Sequence, residues 1–347
     1  MTKANAIILA GGSGTRLWPC SRDAFPKQLL LFDEDQSLLQ QSVARVLPVV
    51  PAQNIAVVAS QKYQKETTTQ LKMFNKAVSE KALYEPMGKN TLPAISWAVQ
   101  EFAKKDPQAV TCVFTSDHVI KDQEAFLSFL KLAIGQAVQG KIVVFGIQPD
   151  YPATGYGYIE AGAENVVTRF VEKPNHEKAQ DYVQAGNFYW NSGMFVFRND
   201  VFLDELKDFE PKIYEVSEEL VREDAKNSLE EIYSKFPKQS MDYGIMERTQ
   251  KAVVVPADMG WSDLGDWNAV YHHLEKNNDF NVLHGDVVAQ DSKANIVWTE
   301  DGVVATIGVS DLAIIKTKDA TLICPRNRTQ DLKELYEEVK KKYPEVT

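Results

Sequence analysis

The chain is short of cysteine, of basic residues and of long apolar runs, and each shortage removes a class of protein. Its 347 residues include three cysteines, Cys20, Cys112 and Cys324, an odd number spread far apart. That spacing supports neither a disulfide framework nor a cysteine metal knuckle, and it fits a reducing cytoplasmic compartment. No stretch approaches the roughly 20 apolar residues of a membrane helix. The N-terminal apolar run, about six residues, is too short for a signal segment. Lys and Arg total 38 against 48 Asp and Glu, a net charge of −10. Nucleic acid and anionic membranes reward a basic face, so no nucleic acid and no membrane is expected as the main partner. A few converging cations still suffice for one nucleotide.

What is present is ample core material, 44% hydrophobic residues, in a length that favours two domains or one with an appendage. In the first half, apolar runs rich in β-branched residues alternate with amphipathic stretches. AIILA (6–10), IAVVAS (55–60), ALYEP (82–86), TCVFTSD (111–117) and KIVVFGI (141–147) read as strands. SLLQQSVARVL (37–47), LPAISWAVQEFAKK (92–105) and EAFLSFLKLAIGQAV (124–138) read as helices. This is the rhythm of a largely parallel sheet covered on both faces, which places ligands beyond the carboxyl ends of its strands. After residue 150 the texture changes: GYGYIEAG, NVVTRFVEK and NFYWNSGMFVFR read as strands, followed by three helical stretches between Val201 and Thr249. From about Asn281 nearly everything is short strands and turns, closed by TQDLKELYEEVKKK. The change of rhythm divides the chain into 1–275 and 276–347.

The most informative stretch is LAGGSGTRLWPCSRDAFPKQLL, residues 9–30. A dinucleotide fingerprint needs a third glycine where this chain has Leu17, and a Walker A loop needs Gly-Lys-Ser/Thr where it has Gly14-Thr15-Arg16. What remains is a glycine turn whose bare N–H groups can approach an anion, with Arg16 able to fork onto phosphate oxygens. From these residues alone a structural βα turn is as good a reading, and Lys27 reads as a solvated lysine beside a proline.

The longer string G-G-x-G-T-R-L followed by Pro26-Lys27 resembles the signature of sugar-phosphate nucleotidyltransferases. With EPMGKNTLPAI, SDHVI, GYGYIE, FVEKPN, YWNSGMFVF, MDYGIMER and GWSDLGDW in order, residues 4 to at least 325 resemble the GTP-using mannose-1-phosphate guanylyltransferases. The resemblance implies a Rossmann-like, doubly wound mixed α/β sheet of the nucleotidyltransferase, GT-A-like kind. It also implies a small C-terminal β domain, a short left-handed β-helix that helps form a homodimer. No histidine follows His284, so a fused isomerase domain with a metal-binding cupin is not expected.

The implied reaction joins GTP and mannose 1-phosphate into GDP-mannose, releasing pyrophosphate, with Mg²⁺ as cofactor. By resemblance Leu9, Ala10, Gly11, Gly12, Gly14, Thr15 and Arg16 bind the nucleotide, the 12–16 loop wrapping the triphosphate with Arg16 on the β and γ oxygens, and Lys27 lies near the α-phosphate or the leaving group. Asp117, at the end of an apolar strand, and Asp263, in GWSDLGDW, would hold the metal as hard oxygen ligands; taken singly, each reads better as a helix cap or Asx turn. Lys173 would clamp the sugar phosphate and Glu172 would accept from sugar hydroxyls. Gly155, Tyr156 and Asn191 would complete the sugar pocket. Base choice would lie in Glu85, Pro86, Gly88 and Asn90. Lys89 stands where the family more often has arginine, Ser116 where it usually has alanine, and Cys20 is a third departure.

An attacking phosphate oxygen is ionised near neutral pH, so His118 reads as structural, not as a base. Tyr243 and Gly244 read as a helix packed near the sugar site, in a core role. Two alternatives stand beside the leading reading: a thymidylyl- or other nucleotidyltransferase acting on glucose 1-phosphate, and an inactive sugar-nucleotide-sensing subunit. The presence of Arg16, Lys27, Asp117, Lys173 and Asp263 together argues against the inactive form.

Overall fold

A computed structural model describes residues 3–12, 14–32, 35–223 and 228–347. The chain packs as two units: Met1–Gly11, Ser42–Ser116 and Ile120–Trp261 form the first, and Gly12–Gln41, Asp117–Val119 and Ser262–Thr347 the second.

The first unit is built on a mixed sheet. Its strands are β1 (Ala4–Ala10), β2 (Ile55–Ser60), β3 (Leu83–Glu85), β4 (Val110–Thr115), β5 (Ile142–Ile147), β6 (Tyr158–Ala161), β7 (Val167–Val171), β8 (Phe188–Arg198) and β9 (Ala252–Pro256). The spatial order is β9-β5-β8-β4-β1-β2-β3, with β6 joining β7 to β8. Along that path neighbours pair in parallel except around β8, which runs against β4, β5 and β6. The near-continuous apolar runs of β1, β4 and β5 follow from cover on both faces. Ile7, Val113 and Val144 share a core with Leu92, Ile95 and Val99 of the helix Thr91–Ala103. Toward the other face, Phe114 meets Phe126 of the helix Gln123–Val138 edge-on, centroids 5.7 Å apart. Where β8 meets β5 the register slips between Val144 and Gly146, a bulge that sets Asn191 opposite Gly146. Bulges of this kind re-aim side chains.

The second unit gathers two early segments around the C-terminal strands. β10 (Val282–His284), β12 (Ile296–Thr299) and β14 (Leu312–Lys316) stack in parallel, β11 (Val287–Gln290) pairs with β13 (Val304–Ile307), and β15 (Thr321–Pro325) closes the stack antiparallel to β14. A buried asparagine ladder staples the turns. Asn295 Nδ2 donates to Asn281 Oδ1 at 3.0 Å, and Asn295 Oδ1 accepts from Leu312 N at 2.9 Å. The core is aromatic: Phe32, Trp267 and Trp298 meet with centroids 5.8–6.4 Å apart. Trp267 Nε1 donates to the Trp18 carbonyl at 3.0 Å, tying the segment after the glycine turn to GWSDLGDW.

Candidate functional site

The candidate residues fall into three clusters, one in the second unit and two in the first. In the second unit, Gly14 stands at φ 63, and a Cβ there would lie 2.3 Å from Lys27 Cβ, so only glycine lets the turn close over that lysine. Thr15 and Arg16 continue as a single tight helical turn, Thr15–Leu17, from which the Arg16 side chain is exposed; Gly12 is also exposed. Ser21 Oγ donates to the Gly14 carbonyl at 2.6 Å and fixes the turn from below.

Lys27 is not the solvated lysine its immediate sequence describes: it is 4% exposed. A buried ammonium needs partners, and it has them. Nζ donates to Asp117 Oδ2 at 3.1 Å and to the main-chain carbonyl of Asp263. Burial pushes the Asp117 carboxyl up, but the Lys27 ammonium and His118 outweigh it and hold the group below the ordinary carboxylate range. His118 Nε2 lies 3.8 Å from Asp117 Oδ1 and serves as a neighbour of the carboxylate. Asp263 closes an Asx turn, its Oδ1 accepting from Gly265 N at 3.0 Å. The turn reading holds for Asp263, and it is the main-chain carbonyl, not the carboxylate, that meets Lys27. Leu264, between them, is held at φ 41.

The first cluster of the other unit surrounds Glu85. Leu9 and Ala10 end β1, and Gly11 follows with its Cα against this carboxylate; a Cβ there would lie 3.4 Å from Glu85 Oε2. Glu85 Oε1 accepts from the Tyr233 hydroxyl. Burial raises the carboxyl to about 7, with the Tyr233 bond pulling the other way. Pro86 and exposed Gly88 lead to Asn90, whose Oδ1 accepts from Thr91 N at 2.9 Å and caps the next helix. Asn90 stands at φ 70, ψ −171, backbone almost reserved for glycine.

The second cluster holds the sugar candidates. Glu172, 15% exposed, pairs with Lys173 at 2.5 Å, and Lys173 stands at φ 44. Glu172 lies over Gly157, where a Cβ would come within 2.7 Å of Oε2. At Gly155 a Cβ would meet open space, so the crowding by the chain itself is at Gly157. Tyr156 belongs to an aromatic ladder, 5.1 Å from Trp190 and 5.6 Å from Trp261 between centroids, and Tyr151 also meets Trp190, at 4.8 Å. Asn191 Nδ2 donates to Asp242 Oδ1 at 2.9 Å.

Sequence reasoning missed Tyr233, Gly157, Asp242 and the ladder. Asp242 lay in a stretch already singled out, MDYGIMER, but a core role was expected there. The structure corrects this for Tyr243, which is 50% exposed, and keeps it for Gly244, packed on Leu92. The segment is a wide π-type turn, Asp242–Met246, a form often found at functional sites.

Set beside known proteins, residues 5–279 match the family "Nucleotidyl transferase" and residues 285–339 match "MannoseP isomerase/GMP-like beta-helix domain". The chain is 40% identical to a mannose-1-phosphate guanylyltransferase of Escherichia coli K12, covering 98% of this chain and 74% of that one. It is 40% identical, with the same shares covered, to the mannose-1-phosphate guanylyltransferase ManC of Salmonella typhimurium. A crystal structure from Thermus thermophilus, described as a mannose-1-phosphate geranyltransferase, superposes with a TM-score of 0.89 at 32% identity, over 97% of this chain and 99% of that one. The α/β sheet, the β-helix-like C-terminal region and this likeness along nearly the whole length agree: the chain belongs to the mannose-1-phosphate guanylyltransferase family of nucleotidyl transferases.

Proposed function

We propose that this chain transfers GMP from GTP to mannose 1-phosphate, giving GDP-mannose and pyrophosphate. The observation that carries the reading is buried Lys27, closed over by a glycine turn and held between Asp117 and Asp263. A cation fixed in that way is already oriented before any phosphate arrives, so it needs no reorganisation as negative charge develops.

A phosphate oxygen of mannose 1-phosphate attacks the α-phosphorus of GTP, a new P–O bond forms, and the bond to the β-phosphate oxygen breaks in line, releasing pyrophosphate. No protein nucleophile or general base is needed, since the attacking oxygen is ionised near neutral pH. The main-chain N–H groups of Gly12, Gly14 and Thr15 and exposed Arg16 bind the β and γ oxygens. Lys27 faces the α-phosphate and the departing oxygen. Lys173 clamps the sugar phosphate, Glu172 and Asn191 take hydroxyls, and Tyr156 offers its ring to the apolar face of the sugar. Guanine presents N1–H and N2–H donors on its pairing edge, and Glu85, whose Oε1 is taken by Tyr233, meets them with Oε2.

A divalent cation, Mg²⁺, belongs to this reading. The candidate donors are the Asp117 carboxylate, which already attracts the Lys27 ammonium, and the Asp263 carboxylate, whose Oδ1 accepts from Gly265 N while its main-chain carbonyl meets Lys27; carboxylate oxygens suit a small hard ion that keeps waters and phosphate oxygens. When bound, the ion offsets charge on the attacked and leaving phosphates. We also propose a cytoplasmic homodimer, with 276–347 forming the dimerisation domain and 1–275 the catalytic one. Among the described residues no helix is long and apolar enough to cross a membrane.

The test is pyrophosphate release in the presence of Mg²⁺, across GTP, ATP, dTTP and UTP paired with mannose 1-phosphate and glucose 1-phosphate. GTP with mannose 1-phosphate is expected to give the highest kcat/KM. Best turnover on dTTP with glucose 1-phosphate overturns the guanylyl reading, and no turnover from folded protein on any pair favours the sensing subunit.

A further inference from the structure

Asn191 occupies the bulge of β8, and its polar groups are largely committed. Its main-chain N donates to the Gly157 carbonyl at 2.8 Å. Its Oδ1 accepts from Gly193 N at 2.9 Å, and its Nδ2 donates to Asp242 Oδ1 at 2.9 Å. A carboxamide has two ends of nearly equal shape and opposite hydrogen-bonding sense. With a donor fixed at one end and an acceptor at the other, only one orientation satisfies both. One Nδ2–H and one Oδ1 lone pair are then left over, in a set order.

Asp242 is itself delivered by a rigid strap. Gln239 N donates to the Lys89 carbonyl and Leu92 N to the Gln239 carbonyl, both at 3.1 Å, while Met241 N donates to Thr91 Oγ1 at 2.9 Å. Gly244 closes on Leu92 so tightly that a Cβ would stand 2.5 Å from Leu92 Cδ2. Residues 239–244 are therefore pinned on the loop and helix start that follow Glu85. Around the Asp242 carboxyl stand Glu172 and Lys173; burial first, then the Glu172 charge, push it up to about 6, against the pull of Asn191 and Lys173. An added negative charge is unwelcome there, which leaves hydrogen-bond acceptance as the service the group renders.

We propose that Asp242 is a positioning residue for the sugar phosphate: by accepting from Nδ2 it locks the Asn191 carboxamide so that the remaining donor and acceptor meet two sugar hydroxyls in fixed order. The inference rests on the reading of Asn191 as a sugar contact. It explains why a carboxylic acid sits at the head of a π-type turn beside two other charged groups. It also assigns to the strap a task that core packing alone does not require.

The experiment measures kcat and both KM values of the full chain by pyrophosphate release, for Asp242→Ala, Asp242→Asn, Asn191→Ala and the double variant Asn191→Ala/Asp242→Ala. Expected is a rise of about tenfold in KM for mannose 1-phosphate with Asp242→Ala, with KM for GTP within about twofold, which is roughly 1.4 kcal/mol of sugar binding. Asp242→Asn retains an acceptor oxygen and is expected to recover to within about threefold. In the Asn191→Ala background the second substitution is expected to add less than twofold, because the two act as one unit. An equal rise in both KM values, an asparagine variant as impaired as alanine, or full additivity overturns the proposal. If Asn191→Ala raises the sugar KM while Asp242→Ala does not, Asp242 alone loses its role. If Asn191→Ala leaves the sugar KM unchanged, the sugar-contact reading falls and takes this inference with it. Should the alanine variant fail to fold, Asp242→Ser, too short to reach Asn191, makes the same test.

Discussion

The cluster around Lys27 in the second unit, proposed for the phosphates, and the cluster around Glu172 in the first, proposed for the sugar, are both made of charged side chains, yet they are balanced in opposite ways. Around Lys27 the carboxylate gains from its neighbour and is held below its ordinary range. Around Glu172 the carboxylates crowd one another: Asp242 rises to about 6 and Glu247 also rises, each by burial first and the Glu172 charge second. A polyanion is best met by a cation whose own charge is already oriented and partly compensated. Hydroxyl groups need acceptors with open lone pairs, and a surplus of carboxyl oxygen provides them. On the proposed reading, the difference teaches that one protein divides substrate recognition by charge balance: a pre-neutralised ion cluster for the triphosphate, an acidic one for the sugar.

That comparison can be broken most severely at Lys27. Lys27→Met removes the cation while keeping the stem, and kcat in the pyrophosphate assay is expected to fall about 10³-fold, the scale of a lost preorganised donor. A fall of less than tenfold breaks the assignment of the phosphate cluster. Next are Asp117→Asn and Asp263→Asn, for which a loss of about 10²-fold is expected together with a higher Mg²⁺ concentration for half-maximal rate. A variant with unchanged metal dependence shows that its carboxylate is not a ligand.

Glu85 sharpens the comparison from the base side. Glu85→Gln is expected to raise KM for GTP about tenfold and to narrow the preference over ITP, which lacks the 2-amino group. The same variant carries a stability signature. A folded-state carboxyl raised to about 7 binds its proton more tightly than the unfolded chain does, so folding weakens as pH rises from the unfolded value to about 7. Glutamine, which can still accept from Tyr233, lacks that slope. Thermal melts at pH 8 are expected to show it more stable by up to about 3 kcal/mol, with the gap closing below pH 5. Equal slopes for both proteins refute the raised carboxyl.

The smallest effect on turnover is expected at the asparagine ladder. Asn295→Ala orphans buried groups on two neighbouring turns and is expected to lower stability by about 1–3 kcal/mol, read by denaturant unfolding. Its kcat per folded molecule should stay within twofold. A large loss of turnover at full folding would make the ladder part of the chemistry.

Much of this was legible in the sequence. The strands announced themselves as β-branched runs and the helices as amphipathic ones, and β2 fills the run read at 55–60. The helix read at 92–105 is present over Thr91–Ala103. What the residues hid is what long-range packing decides. Lys27 looked solvated because its burial depends on Asp117 and Asp263, distant in sequence. No compositional break marks Gly12–Gln41 as partners of the C-terminal strands, because Trp18 and Trp267 join only through folding. Asp242 looked like packing because nothing local to MDYGIMER points to Asn191.

Asn90 and Lys173 hold backbone angles that a glycine would adopt without strain. Each forfeits on the order of 1–3 kcal/mol of local comfort. A stabilising redesign guided by conformational ease alone would target both, and on the proposed reading would delete a base-loop residue and the sugar-phosphate clamp together. At these two of the chain's positive-φ positions, then, durability and chemistry make incompatible demands on the proposed reading. A library selected for thermal resistance and one selected for GDP-mannose output should part ways there before they part anywhere in the core.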